Sequence, residues 1–261
     1  MHGGLKLLIG TIVTAIGITA AAPAASAATT LYAVNPPNAN KLITNEYAFW
    51  NPTAASAVRS ADWENNSGSL FAKQTVDGPA YWTGVPDNKA PDALSRKGTN
   101  SAVFRLTTKR NDFLNMQTAF KLKVQKQTST SSTPAVAWDG VHVFLRYQSE
   151  ESLYYASIAR RDGALVLKKK CRGGPSNGGT YHTLGSKSGF PIALGQWTAY
   201  GSSIRTNTDG SVAVTLSRAG KSVLTITDKG TGCAPIRTAG KTGIRGDNTD
   251  FLFQSFQVTS L

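Results

Sequence analysis

The chain has 261 residues, of which 40% are hydrophobic, and its 28 Lys and Arg residues against 15 Asp and Glu residues give a formal net charge of +13. This length can bury a substantial core and fits one large domain or two small ones. Its two cysteines exclude a metal site built from cysteine ligands alone. The charge indicates attraction to polyanions such as acidic polysaccharide, cell-wall polymer or nucleic acid, without choosing among them.

The first 27 residues have the three parts of a secretory signal peptide. Lys6 provides the positive charge, residues 7–21 form an apolar stretch, and Ala25-Ser26-Ala27 is a cleavage site of small residues. A short membrane anchor is the alternative, but no basic flank follows the apolar stretch. We therefore predict a secreted, extracellular protein that starts at residue 28, and no later stretch is long and apolar enough to cross a membrane.

The rest of the chain is typical of one β domain. Residues 28–44, which include Asn35-Pro36-Pro37-Asn38, predict an extended N-terminal arm before a single domain at 45–261. Short segments of alternating apolar and polar residues recur between turn residues, and none has a helical period. This pattern predicts an all-β fold, a two-sheet antiparallel β-sandwich or jelly roll. Trp63 and Trp197 are expected in its core.

The stretch from Trp138 to Cys171 predicts three neighbouring antiparallel strands. The strands cover residues 141–148, 153–161 and 164–170. The second turn, Asp162-Gly163, is the strongest short hairpin signal known. The two turns set Arg146 opposite Tyr155 and Ser157 opposite Lys168, and directly opposed residues share a face of the sheet.

One face of this unit, which includes Tyr147, is largely apolar and is predicted to belong to the core. The opposite face carries His142, Phe144, Arg146, Gln148, Tyr155, Ser157, Lys168 and Lys170. Cations and hydrogen-bonding groups surround an aromatic ring there, and no carboxylate is present. We interpret this face as the floor of a site for an anionic ligand; the alternative is an ordinary basic, solvated sheet face.

The two cysteines, Cys171 and Cys233, are most simply one disulfide in a secreted chain. Such a bond would tie the end of the third strand to a late loop. The closing strand, residues 251–258, loses its alternation near Ser255, which predicts a β-bulge.

Three landmarks are spread along the chain. They are Trp63 to Phe71 with its Ser-Gly-Ser-Leu-Phe sequence, Gln196-Trp197 at the start of a late strand, and Gly243-Ile244-Arg245 before a closing strand with Phe251, Phe253 and Phe256. Together they resemble the concanavalin A-like lectin/glucanase superfamily, including its laminin-G-like members, over most of the chain. The resemblance implies two bent antiparallel sheets with sugar polymers bound across the concave one. This superfamily contains lectins, glycoside hydrolases and polysaccharide lyases, and the fold does not choose among them.

The ligand face resembles that of jelly-roll polysaccharide lyases in composition. These enzymes use Arg, Gln or Asn, His and Tyr for β-elimination, in which a uronate carboxylate is neutralised, a base removes the adjacent proton and an acid protonates the leaving oxygen. On this interpretation Arg146 and Gln148 neutralise the carboxylate, His142 or Tyr155 is the base, and Tyr155 is the acid. Further substrate-binding residues would be Phe144, Lys168, Lys170, Tyr81 and Trp82. The Gln-Ile-His or Gln-Val-His signature of alginate lyases is absent.

The resemblance also suggests a structural calcium. Asp247, Asn248 and Asp250 group the oxygen ligands that calcium prefers, and calcium often ties terminal segments together in this superfamily. The alternative is a turn rich in Asx residues. No cofactor is required for the chemistry itself.

Other functions remain open. A non-catalytic, lectin-like protein needs only the floor and aromatic platforms. A glycoside hydrolase needs two carboxylates beside the scissile bond; the Glu-x-Asp-x-x-Glu run of the superfamily's glucanases is absent, which leaves Asp62 and Glu64 as the candidate pair. A binder of cell-wall glycan or, non-specifically, of nucleic acid would lose affinity steeply with salt. We expect a monomer that acts on an acidic polysaccharide or cell-wall glycan and has no membrane contact after signal cleavage.

Overall fold

A computed structural model describes Met1 and residues 28–45, 57–86, 102–131 and 133–261. The predicted signal peptide lies outside these residues, apart from Met1. All regular secondary structure in the described part of the chain is β. The strands are β1 (Thr30–Val34), β2 (Lys41–Thr44), β3 (Trp63–Ser67), β4 (Leu70–Thr75), β5 (Gly78–Trp82), β6 (Val103–Thr108), β7 (Met116–Gln127), β8 (Gly140–Ser149), β9 (Ser152–Arg160), β10 (Leu165–Ser176), β11 (Gly179–Lys187), β12 (Trp197–Thr206), β13 (Val212–Arg218), β14 (Lys221–Asp228), β15 (Lys241–Asp247) and β16 (Thr249–Ser260). This described part contains no helix with the length and hydrophobicity that a membrane crossing requires.

The strands form two antiparallel sheets. The larger sheet has the order β14-β13-β12-β7-β16-β5-β4-β2, with β1 paired to β16, and the smaller sheet has the order β11-β10-β9-β8-β15-β6-β3. Apolar side chains from both sheets form one core between them. The predicted all-β, two-sheet antiparallel sandwich is therefore confirmed.

The core is centred on aromatic side chains. Trp63 is fully buried, and its ring lies 4.9 Å from that of Phe256 and 6.3 Å from that of Phe253, in edge-to-face geometry. The position of Trp197 differs from the prediction that it lies in the core. It is only half-buried and belongs to the outer face of the larger sheet, where its indole N–H donates to Asp77.

Residues 28–44 do not form a separate arm. Residues Thr30–Val34 pair with the closing strand β16, and Lys41–Thr44 pair with β4. Both segments are therefore strands of the larger sheet. The sandwich begins with the first of them rather than at residue 45.

The predicted three-strand unit exists, with a shifted register. Between β9 and β10 the loop spans residues 161–164, and Gly163 takes a φ of 70°, a value that glycine adopts without steric cost. This longer loop places Ser157 opposite Val166 and Tyr155 opposite Lys168. The shift is two residues, and because side chains alternate with a period of two, the same residues still share a face.

A β-bulge in β8 alters one strand more seriously. The pairing with β9 is irregular between Leu145 and Ser149, and Arg146 has a φ of 46°, which is rare for a residue with a side chain. The extra residues of a bulge redirect side chains. Arg146 leaves the outward face, and Tyr147, predicted to be in the core, joins it.

Cys171 and Cys233 form a disulfide with a Cα–Cα distance of 6.0 Å. It joins β10 to the loop after β14, as predicted. Next to it, the ammonium of Lys169 lies 2.7 Å from the carboxylate of Asp228, with both side chains fully buried. Lys169 also donates to the Cys233 carbonyl, so the ion pair and the disulfide hold the same loop. The bulge predicted near Ser255 is present, since the pairing of β16 with β7 shifts between Gln254 and Gln257.

Candidate ligand-binding groove

The outward face of the smaller sheet carries a groove with two wider parts. One is a cavity of about 410 Å³, the other of about 250 Å³. A narrow space between them shares lining residues with both. We call this the basic groove; the side chains used below are Arg105, His142, Phe144, Tyr147, Tyr155, Ser157, Lys168, Lys170, Tyr181, Arg245 and Asp247. They come from β6, β8, β9, β10, β11 and β15, all strands of one sheet.

The groove is cationic because its carboxylates are already paired. Asp247 pairs with Arg245, Glu150 with Arg105 at 2.7 Å, and Glu64 with Lys241. Two further cations, Lys168 and Lys170, also line it. An anionic ligand would therefore find positive charge without an unpaired carboxylate to oppose it.

A bidentate ion pair lies in the floor of the groove. Arg245 donates from Nε to Asp247 Oδ2 at 2.8 Å and from Nη2 to Oδ1 at 2.7 Å. Burial opposes ionisation of Asp247, but the charge of Arg245 and a contact with His142 outweigh it, so the pKa of the carboxyl lies below its usual range. Burial also opposes the charge of Arg245, but the Asp247 carboxylate outweighs it and raises the pKa of the guanidinium, so Arg245 stays charged. The described residues leave its Nη1 without a hydrogen bond, so it can meet a ligand.

His142 lies beneath the surface of the groove. It is 1% exposed, its Nδ1 lies 2.9 Å from the hydroxyl of Ser157, and its Nε2 lies 3.2 Å from Asp247. The Tyr155 ring stacks on it, with 4.6 Å between centroids. Burial lowers the pKa of the imidazole, partly offset by Asp247. A neutral, buried ring with Nδ1 bonded to Ser157 and Nε2 close to Asp247 can support Tyr155, but it is poorly placed to reach a polymer itself.

Tyr155 and Lys168 are directly opposed on β9 and β10, so their Cβ atoms lie about 5 Å apart. Burial raises the pKa of the Tyr155 hydroxyl well above its ordinary value. Burial lowers the pKa of the Lys168 ammonium, and the nearby charges of Arg160 and Arg245 lower it further. The described residues provide no hydrogen-bond partner for either the hydroxyl or the ammonium. The pair is thus a hydroxyl that holds its proton and an ammonium that loses its proton more readily than usual, and both face the groove.

Aromatic rings line the rest of the floor. Tyr181 lies 5.4 Å from Tyr155 between ring centroids, and Phe144 lies 5.3 Å from Tyr147. The ammonium of Lys170 lies 5.0 Å from the centre of the Tyr181 ring, close enough for a cation–π interaction. Sugar rings could pack on these faces while their charged groups meet the cations.

The structure brings five of the predicted site residues into the groove. They are His142, Phe144, Tyr155, Lys168 and Lys170. Their shared face follows from strand alternation, which the register shift does not disturb.

Arg146 and Gln148 were placed on this face by the sequence, and that placement is wrong. The bulge turns Arg146 inward, where it is fully buried and donates to Leu114 O at 2.9 Å and Ile236 O at 2.7 Å. Gln148 donates to Ala239 O at 2.7 Å. Both side chains hold loops at the end of the sandwich.

Tyr81 and Trp82 do not reach the groove, because their strand β5 belongs to the larger sheet. Tyr81 is a core residue whose hydroxyl donates to Asn35 O at 2.9 Å. Trp82 lies on the outer face of that sheet, where its indole N–H donates to Asp250 at 2.8 Å.

The three residues proposed for calcium have separate partners. Asp247 is bound by Arg245, Asn248 bonds to Thr133 and Asp139, and Asp250 accepts from Trp82. No group of three His, Cys, Asp or Glu residues that could hold a metal occurs in the described ranges. These oxygens therefore do not fit a calcium site, and we derive no chemistry from one.

Sequence reasoning missed three important groove residues, Arg105, Tyr181 and Arg245. Arg105 alternates with apolar residues along β6, and Arg245 and Asp247 are two apart on β15, so that each points to the outer face. This alternation was visible in the sequence. What the sequence lacked was the pairing that places β15 between β6 and β8.

Comparisons with known proteins identify the fold. No protein-family model matches the chain, and no curated protein matches its sequence. A solved protein of unknown function with a galectin-like fold from Bacillus subtilis is similar in structure, with a TM-score of 0.53, 13% identity, and coverage of 88% of this chain and 95% of that one. The marine alginate lyase from Aplysia kurodai has a TM-score of 0.50 at 10% identity, with coverage of 89% of this chain and 100% of that one. At such identities the likeness concerns the fold alone: the chain has a galectin-like, jelly-roll β-sandwich fold, in agreement with the concanavalin A-like resemblance.

Proposed function

We propose that the protein is a secreted polysaccharide lyase that cleaves a uronate-containing polymer in the basic groove by β-elimination. The observation that carries this proposal is the direct opposition of Lys168 and Tyr155. Burial lowers the pKa of Lys168, which favours its basic form, and raises the pKa of Tyr155, which keeps the hydroxyl protonated until it meets the leaving oxygen. Titratable neighbours whose pKa values are pushed in this way are the usual sign of an acid–base pair.

The reaction needs three contributions from the chain. Arg245, with Lys170 beside it, neutralises the uronate carboxylate, which makes the proton on the adjacent carbon more acidic. Lys168, in its deprotonated form, takes that proton, and the electron pair forms a carbon–carbon double bond as the glycosidic bond breaks. Tyr155 donates its proton to the leaving oxygen. Exchange of protons with water then restores both side chains.

Two assignments differ from the sequence interpretation. Arg245 replaces Arg146 as the cation that meets the carboxylate, since Arg146 is buried elsewhere. Lys168 replaces His142 as the base, because Tyr155 covers the imidazole. Hydrolysis by paired carboxylates is disfavoured: Glu64 is paired with Lys241, and Asp62 is not among the residues that line the groove.

The test is ultraviolet absorbance of the unsaturated uronate product, measured with the mature protein and a panel of uronate polymers. We expect a rise on one polymer, and Lys168→Met and Tyr155→Phe should each lower the rate by about 10²- to 10⁴-fold. Lys221→Met is the matched control, because this lysine is exposed on β14.

Two results would overturn the proposal that the protein is a lyase. Salt-sensitive retention on a polymer without product from any of them would make the protein a binding module. Full activity in both groove variants would move the chemistry to other residues. Circular dichroism of each variant must first match that of the wild type, so that a lost fold is not taken for a lost base or acid.

A further inference from the structure

A row of side chains crosses the outer face of the larger sheet, on the side opposite the groove. Cross-strand partners follow one another from β12 to β4: Trp197, Lys123, Leu252, Trp82 and Phe71. Directly opposed residues share a face, so all five point the same way. None belongs to the hydrophobic core. Four strand spacings give the row a length of about 19 Å.

The two tryptophans have the same surroundings. Each indole N–H donates to a carboxylate, Trp82 to Asp250 at 2.8 Å and Trp197 to Asp77 at 2.9 Å. These bonds fix the orientation of the rings. In each case a lysine also approaches the ring: Lys73 lies 4.2 Å from the Trp82 centroid.

Lys123 holds the same position at the other end of the row, 5.7 Å from the Trp197 centroid. Between the tryptophans, Leu252 is 3% exposed although it lies on the outer face. Its neighbours in the row therefore cover it. Phe71 extends the aromatic surface, with its ring 5.6 Å from that of Trp82.

We propose that this row is a second binding surface for an extended, carboxylate-bearing polysaccharide. Half-buried, hydrogen-bonded indoles offer faces on which sugar rings stack at low cost in side-chain entropy. The adjacent ammonium groups pair with carboxylates of the same polymer, since the partly exposed cation–π contacts and the Lys123–Asp77 ion pair at 2.8 Å are both weak enough to be exchanged. The polymer class rests on the proposed function of the groove, but the row contains no acid–base pair and would bind without cleaving.

The experiment is affinity electrophoresis in gels that contain the uronate polymer, performed with the non-cleaving Tyr155→Phe variant as background. Adding Trp82→Ala or Trp197→Ala should reduce the affinity by roughly two- to tenfold. Leu194→Ala is the control, because this leucine is exposed outside the row. Cleavage of short oligosaccharides by Trp82→Ala and Trp197→Ala in the otherwise native chain should equal that of the wild type.

Lys73→Met and Lys123→Met leave both rings in place, so they test the row even if a tryptophan variant fails to fold. They should also weaken retention on the charged polymer. Unchanged retention in all four variants overturns the proposal, and so does a loss confined to the tryptophan variants, which would indicate a neutral glycan. A protein that shows no turnover but whose retention depends on the row would refute the lyase and leave the second surface standing.

Discussion

Replacing Arg146 by Met should destabilise the fold while leaving the chemistry of the groove intact. The guanidinium is fully buried, and burial lowers its pKa to about 10, so it is charged at neutral pH. It donates three hydrogen bonds, to Leu114 O, Ile236 O and Asn115 Oδ1, at 2.9, 2.7 and 3.1 Å. Met preserves the apolar stem but removes the donor from two part-buried carbonyls and one amide oxygen, at the low end of about 1–3 kcal/mol each. We expect a loss of about 2–4 kcal/mol, a large part of the 5–15 kcal/mol that is typical of a domain.

The assay is urea unfolding followed by tryptophan fluorescence, together with turnover of the folded variant. Arg205→Met is the matched control because Arg205 is exposed on β12, and it should change stability by less than about 0.5 kcal/mol. An Arg146→Met protein that is as stable as this control but has lost turnover would refute the reasoning. Such a result would indicate that Arg146 takes part in the reaction, as strand alternation alone predicts.

Two further outcomes follow from buried groups. His142 is neutral in the fold because burial lowers its pKa, whereas the unfolded chain takes up a proton below about pH 6.5. The free energy of unfolding should therefore fall between about pH 7 and 5, a window in which Asp247 stays ionised, and the fall should be smaller in His142→Gln. The free energies of unfolding come from urea titrations at several pH values. An equal fall with pH in the wild type and in His142→Gln would contradict this. Reduction of the Cys171–Cys233 bond, which spans a sequence separation of 62, should cost about 4 kcal/mol in the chain-entropy model. Thiol titration of the denatured, unreduced protein should find no free cysteine, and two thiols would exclude the bond.

Local signals predicted the sandwich well. Asp162-Gly163 does end a hairpin, the closing strand does bulge beside Ser255, where φ is 55°, and the alternating faces of β8, β9 and β10 are correct as far as Leu145. These features depend on chain-local geometry and on the period of two, both of which are visible in sequence.

The errors arose where tertiary contacts outweighed the local pattern. Phe144-Leu145-Arg146-Tyr147 alternates as well as any strand, yet Arg146 adopts a left-handed conformation. The three acceptors around its guanidinium come from loops 31 to 90 residues away in sequence. No local pattern could have revealed them. Arg245 was missed for a similar reason, since only the strand order places it in the same groove as Lys168.

Residues 241–260 have an unusual place in the sandwich. Strand β15 lies between β8 and β6 of the smaller sheet, and β16 lies between β7 and β5 of the larger one. Neither sheet can therefore be completed until residues 241–260 have been synthesised, and every pairing of β1 with β16 spans more than 220 residues. Such non-local pairing makes folding slow. A nascent chain of this protein would therefore lack a central strand of each sheet until β15 and β16 have left the ribosome.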